Sequence, residues 1–315
     1  MLHKHVIVNG LKEMIMKTKL LLLYLFIGFY SLSNLAQSPE IFNNTNQVEE
    51  FTVPAGVSEI TIEAWGGGGN GGTVFTTSNG LSKVAGGGGS GAYSKSIVEV
   101  TPGEVFSITV GGSGQKTKVT DNNSNVKVLA EGGFSVSANS ITGAGGGPIS
   151  NNTVGSEDKL AGNSGTGADA TSSGAGGNAP TNDGGNGGGS VSGNEIGKNG
   201  NNPGGGGSGA SISNSGNGTT LNNGGEGADG QVTISYTKLI QISPGDFDNP
   251  TNWEGGVAPV STDSPIIGNN IESNLTKGES VNSLNLNTGS EVNLNGNNLS
   301  VNGDITNNSE FTGGG

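Results

Sequence analysis

The sequence contains no cysteine and no arginine, and its only histidines are His3 and His5. Without cysteine there is no disulfide, no thiolate nucleophile and no site for lipoprotein acylation. Without histidine beyond residue 5, Ser-His-Asp and Cys-His relays and His-ligated zinc are excluded for the body of the chain. Aromatic residues make up only 5% and charged residues only 12% of the chain. The longest apolar run, from Leu20 to about Tyr30, falls short of the roughly 20 residues a membrane-spanning helix needs. The chain is therefore expected not to insert in a membrane once mature.

That run explains the N-terminus. Lys17 and Lys19 precede it, and Ala36 stands before Gln37. A basic start, an apolar stretch and a small residue at a cleavage point form a secretory signal, so residues 1–36 are expected to be a signal peptide. The first 15 residues, with Lys4, Lys12 and Glu13, fit a signal poorly, and translation is expected to start at Met14 or Met16. Removal of residues 1–36 takes away four lysines and one acid, which leaves 9 Lys against 25 acids and a net charge of −16. Phosphate contacts need cationic side chains, so nucleic acid is excluded as a partner. An acidic, polar, secreted chain suits an exposed surface.

What the chain has in excess is glycine: 62 of 315 residues, 48 of them between Gly66 and Gly230. There is no sustained G-X-Y period, so it is not collagen. Residues 37–48 read as a leader. From Glu49 the pattern turns to strands. In "EEFTVPAGVSEITIEAW", Ile60, Ile62 and Ala64 share one face and Thr61, Glu63 and Trp65 the other. "AYSKSIVEVTPGEVFSITVGG" repeats the plan, with Phe106, Ile108 and Val110 in phase after a Thr101–Glu104 turn. "GGFSVSA" (132–138) and "GQVTISYT" (230–237) are expected to be further strands of one antiparallel β unit.

Glycine clusters separate these strands, at 66–72, 86–91, 143–147, 162–167, 174–177, 184–189, 204–209 and 224–230. Residues 143–230 hold almost no apolar side chains. One reading is disorder, the ordinary consequence of such composition. The other is a bundle of polyglycine II helices, extended chains with three residues per turn whose bare backbones bond one another. Ordering a residue costs roughly 1–2 kcal/mol and a net backbone hydrogen bond contributes about 0.5–1.5 kcal/mol. The two nearly cancel, so such a bundle requires a rigid scaffold beside it.

The motifs V-P-A-G-V…AWGGGG and GADGQVTISY, within residues 49–237, resemble the secreted glycine-rich domain family of bacterial surface proteins. That family is similar to glycine-rich regions of phage tail adhesins and of anaplastic lymphoma kinase receptors. The resemblance implies a β-sandwich carrying polyglycine II helices, and an adhesive or display role without a fixed ligand. Residues 148–203, rich in Asn, Ser and Thr, depart from the pattern.

A new pattern follows a linker at 238–244. Within residues 245–315, Leu284/Leu286, Val292/Leu294, Leu299/Val301, Ile305 and Phe311 recur between Asn-Gly and Thr-Gly turns. Rungs of this kind close a core only by stacking. Together with "GDF…NW…GG…P…D", they resemble the opening of β-helical repeats in large Bacteroidetes surface adhesins. The chain is read as a fragment that stops within a repeat. The expected fold class is all-β: an antiparallel β-sandwich with glycine-rich loops, then the first rungs of a β-solenoid.

Candidate sites are few. Gly66, Gly68 and Gly71 fit G-x-G-x-x-G, but no helix follows, so a dinucleotide loop is not expected. Asp246, Asp248, Asn249 and Asp263 supply hard oxygens that suit Ca²⁺, or serve Asx turns. Trp65 and Trp253 can stack on a sugar ring or pack over backbone. No catalytic residue, cofactor or metal is assigned, and no acid pair stands out for glycoside chemistry. The expected function is a non-catalytic, secreted cell-surface structural or adhesin-like protein that binds a surface glycan, matrix or cell-surface ligand. The alternative is an accessory, carbohydrate-binding region of a larger extracellular polysaccharide-active enzyme.

Overall fold

The computed structural model describes residues 39–45, 47–77, 81–149, 157–213, 219–254 and 256–313. The expected signal peptide and start codon lie outside these residues. Among the described residues there is no α-helix, only one 3₁₀ turn at Pro250–Asn252, and no helix is long and apolar enough to cross a membrane.

Among the described residues thirteen strands build the first part: β1 Glu40–Phe42, β2 Glu49–Thr52, β3 Glu59–Trp65, β4 Val74–Thr76, β5 Lys83–Val84, β6 Tyr93–Glu99, β7 Val105–Thr109, β8 Thr117–Thr120, β9 Val126–Ala130, β10 Lys159–Leu160, β11 Ser211–Ile212, β12 Thr220–Asn222 and β13 Gln231–Tyr236. Two antiparallel sheets dominate, in the orders β1-β13-β3-β6-β10 and β2-β7-β8-β9. Period-2 alternation gives each sheet one apolar face. Ile60, Ile62, Val232 and Ile234 from the first sheet and Phe51, Phe106, Ile108, Val119 and Val128 from the second form one buried cluster. The two sheets thus face each other across a shared core.

Three segments differ from the sequence reading. The expected leader contains β1, which pairs with β13 and places Phe42 in the core. The segment 132–138 is not a strand; its amides bond into the glycine runs. The hairpin of β8 and β9, with Asp121–Asn125 at its turn, was not anticipated.

The described residues of the second part form ten short strands: β14 Ile240–Gln241, β15 Gly245–Asp246, β16 Ile266–Ile267, β17 Glu272–Asn274, β18 Glu279–Val281, β19 Leu284–Leu286, β20 Glu291–Asn293, β21 Leu299–Val301, β22 Ile305–Asn307 and β23 Glu310–Thr312. All their pairings are parallel, in three sheets ordered β14-β16-β19-β22, β15-β17-β20-β23 and β18-β21. Ser273 lies beside Val292, and Val292 beside Phe311, so each turn of this coil takes roughly 20 residues. Trp253, Phe247, Ile267, Leu275, Leu284, Leu286 and Val292 fill its interior. β14 falls within the expected linker, so the coil begins earlier than the sequence indicates.

Coil and glycine runs attach at opposite ends of the two facing sheets. The turn after β2 carries Gly56 at φ +79°, a left-handed backbone that suits glycine. Its carbonyl accepts from Leu239 N at 2.8 Å, and Ser58 Oγ donates to Asp263 Oδ1 at 2.9 Å. At the other end β3 and β9 run out through Trp65 and Ala130, and β6 and β13 enter through Tyr93 and Gln231. All four join glycine-rich segments there.

Candidate functional site

The glycine runs form an ordered array whose centre is the segment Gly86–Ala92. All seven of its amides donate to other segments, at 2.8–3.0 Å. Targets repeat every third residue. Gly87 and Ser90 donate to Thr166 and Asn163; Gly88 and Gly91 to Gly207 and Gly204; Gly89 and Ala92 to Phe134 and Glu131. Acceptors obey the same period. The carbonyls of Gly86, Gly89 and Ala92 take Gly72, Gly69 and Gly66, those of Gly87 and Ser90 take Ala144 and Gly147, and that of Gly88 takes Gly177. Six segments therefore surround this one. Residues 204–210 are enclosed in the same way by 66–72, 86–91, 174–177, 185–188, 198–201 and 225–228.

Close approach, not unusual dihedral angles, requires glycine here. Within the runs named in the sequence, Gly204 alone has a left-handed φ, at +75°. A Cβ on Gly67, Gly68, Gly69, Gly87, Gly88, Gly89, Gly206 or Gly207 would instead fall under 3.0 Å from a backbone carbonyl of a neighbouring run. The described residues of the segment 148–203 join the array as well. Asn163 donates to Ser90 Oγ at 2.8 Å, and Asn178 Oδ1 accepts from Gly187 N at 2.8 Å. Side chains of Asn and Ser thus complete hydrogen bonds where bare backbone does not reach. Ser208, fully buried, accepts from Lys198 N in the same manner.

The proposed sites read from sequence occupy structural positions. Gly66, Gly68 and Gly71 donate to Ala92, Ala228 and Gly225, so their amides are already used and do not form a phosphate cradle. Trp65 is 3% exposed; its ring lies 5.1 Å from Tyr93, and Nε1 reaches Pro180 O and Thr181 Oγ1 at 3.3 Å. Trp253 is 1% exposed, edge-on to Phe247, with Nε1 donating to Phe247 O at 2.7 Å. Neither ring turns a face to solvent. The four oxygen-bearing residues are not brought together around one point. Asp248 pairs with Lys277 at 3.2 Å, which holds its carboxyl below the usual range. Asn249 caps the 3₁₀ turn, and Asp263 accepts from Ser58 Oγ and Val260 N. Asn249 thus has the turn role.

What sequence reasoning missed lies at the far end of the array. There β4 pairs with β12 and β5 with β11 over a small core of Val74, Ala85, Ala210 and Ile212. Their outer surface is apolar. Phe75 and Leu221 are cross-strand partners, 44% and 59% exposed, with Lys83 Nζ 5.4 Å from the Phe75 ring centre. Asn139 Oδ1 accepts from Phe75 N at 2.9 Å, and Asn222 Nδ2 donates to Asn194 Oδ1 at 3.0 Å, which ties two further segments to these strands. These side chains come from segments far apart in sequence. An exposed apolar pair held on ordered strands is a candidate contact surface.

With this geometry in view, comparison with known families is decisive. The glycine-rich domain family model matches residues 44–237, more than half of the chain. The chain belongs to that glycine-rich domain family. The match spans the array and every strand of the two facing sheets except β1, which precedes it. Among curated proteins no match is found.

Proposed function

We propose that this member of the glycine-rich domain family is a secreted, non-catalytic protein of the bacterial cell surface, a structural or adhesin-like module that holds out a contact surface. The observation that carries the reading is the exposed cross-strand apolar pair of Phe75 and Leu221 at the far end of the array. A buried backbone array supports it from behind, and the facing sheets support the array. On this reading the runs are polyglycine II helices, for which the three-residue hydrogen-bond period is the support. The two facing sheets are a β-sandwich, and the coil is a β-solenoid of the Bacteroidetes adhesin type that serves as a stalk. The signal peptide carries the chain out, and its partner is a glycan, matrix or cell-surface molecule.

The test uses the fluorescently labelled protein and its Phe75→Asp/Leu221→Asp variant on bacterial cells, host cells and matrix-coated surfaces. The reading expects saturable binding that falls by about tenfold or more in the variant, since central apolar contacts supply about 1–2 kcal/mol each. Both residues are exposed, so the melting temperature should not change. Inertness towards all surfaces, or undiminished binding by the variant, would refute it.

A further inference from the structure

A second surface lies at the other end of the array, where it meets the sheet of β2, β7, β8 and β9. A groove of about 520 Å³ opens there, lined among others by Thr109, Gln115, Lys116, Lys118, Glu131 and Phe134. That volume falls within the range of small-ligand sites. Lys116 immediately precedes β8 and Lys118 is its second residue, and both line the groove. Lys118 lies beside Thr109 of β7 in register. Phe134, four residues past the end of β9, lines the same groove and is 57% exposed. Its amide is fixed to Gly145 O at 3.1 Å, and its ring rests on Gly145, where an added Cβ would sit 3.5 Å from Cδ2. One side of the ring is thus backed by bare backbone while much of it stays open.

Two lysines against one glutamate make this groove net positive on a chain whose formal charge is −13. An open aromatic ring suits the flat apolar face of a sugar. A pair of point cations suits a carboxylate or sulfate, and Gln115 and Thr109 offer hydrogen bonds to hydroxyls. The two buried tryptophans supply no such platform; Phe134 does. We propose that this groove binds an anionic saccharide, with Phe134 under a ring and Lys116 and Lys118 on its acidic group. This inference rests on the adhesive reading but not on the apolar end that carries it.

The experiment is calorimetric titration of the full chain with three probes: an oligogalacturonide, its neutral methyl ester, and a sulfated heparin oligosaccharide. The first and third separate carboxylate from sulfate recognition. At least one should bind, with affinity that weakens as salt rises. Lys116→Gln/Lys118→Gln should weaken that binding by about tenfold and Phe134→Ala by a similar factor, both without a change in melting temperature. Methyl esterification should weaken oligogalacturonide binding likewise if the carboxylate is the group recognised. Absence of binding by both acidic probes at about 1 mM, a level that would reveal even weak sites, overturns the proposal. So does binding that the lysine or Phe134 variants leave intact. If the acidic probes fail while labelled protein still binds cells through Phe75 and Leu221, this groove is refuted and the adhesive reading stands. If the groove binds its saccharide while Phe75→Asp/Leu221→Asp leaves cell binding intact, the apolar end is refuted and this groove stands.

Discussion

A single methyl group at Gly88 should separate a packed array from a flexible glycine tract. A Cβ there would fall under 3.0 Å from the backbone of Gly69 and Asn70. Rigid backbone on the neighbouring run cannot rotate aside, so the two runs must part. Three hydrogen bonds join them: Gly66 to Ala92, Gly69 to Gly89 and Gly72 to Gly86, all at 2.8–2.9 Å. Their loss costs about 2–4 kcal/mol at about 1 kcal/mol each, and overpacking adds about 1–3 kcal/mol if they hold. Against this, Ala stiffens the unfolded chain by about 0.4–1 kcal/mol. Gly88→Ala should therefore destabilise by about 3 kcal/mol and lower the melting temperature by roughly 10 °C. Gly189 provides the internal control. It belongs to a glycine run, has no left-handed φ, and a Cβ there meets nothing within 4 Å. Only the unfolded-state effect remains, so Gly189→Ala should be neutral or slightly stabilising. The assay is scanning calorimetry with urea denaturation on both variants. Equal, small effects at the two positions would refute the packing argument, because in a loose linker both substitutions act on the unfolded state alone.

Three further outcomes are expected. Asp121 accepts from Asn125 Nδ2, from the amides of Asn123 and Asn125, and from Lys127 at 3.1 Å, which together draw its carboxyl down to about 2. A lowered folded pKa adds stability above the ordinary carboxylate range and loses it as pH falls towards 2; the β8–β9 turn should loosen in that window by amide exchange, and Asp121→Asn should abolish the dependence. Tyr236 is pushed up to about 12 by burial and by its 2.8 Å hydrogen bond to Glu40. Its contribution is complete below pH 10 and lost as pH rises through 12, so alkaline unfolding should be blunted in Tyr236→Phe and its phenolate absorbance absent at pH 10. Trp253→Ala should cost about 3–5 kcal/mol by emptying the coil's interior, seen as lost cooperativity in the coil's thermal transition; an unchanged melt would contradict the burial.

The strands were legible because alternation is a strong local signal. Ile60, Ile62 and Ala64 read as one face, and all three are buried between the sheets. Phe106, Ile108 and Val110 behaved alike. "GGFSVSA" misled for an instructive reason. Its alternation is that of a strand, but glycine before it lets Gly133 and Val136 bond to Gly67 and Asn70, three residues apart on one run. The β8–β9 hairpin had its own signal, alternation on both sides of Asp121-Asn122-Asn123-Ser124-Asn125, and went unread beside the glycine clusters. Trp65 was placed correctly on the face away from the sheet core, yet the chain at Ala179–Thr181 covers it. Nothing local announces that contact. The apolar end was not legible at all. Phe75 and Leu221 lie far apart in sequence and meet only because β4 and β12 pair after the chain returns.

The central claim is that backbone packed against backbone, with almost no side chains, holds this domain's glycine runs in place. Amide hydrogen exchange on the native protein tests it directly, residue by residue from Gly66 to Gly230. Buried, bonded amides in 86–92 and 204–210 should exchange slowly, at rates near those of β3 and β13, while Gly189 exchanges fast. Complete exchange of 86–92 and 204–210 within seconds would contradict the account.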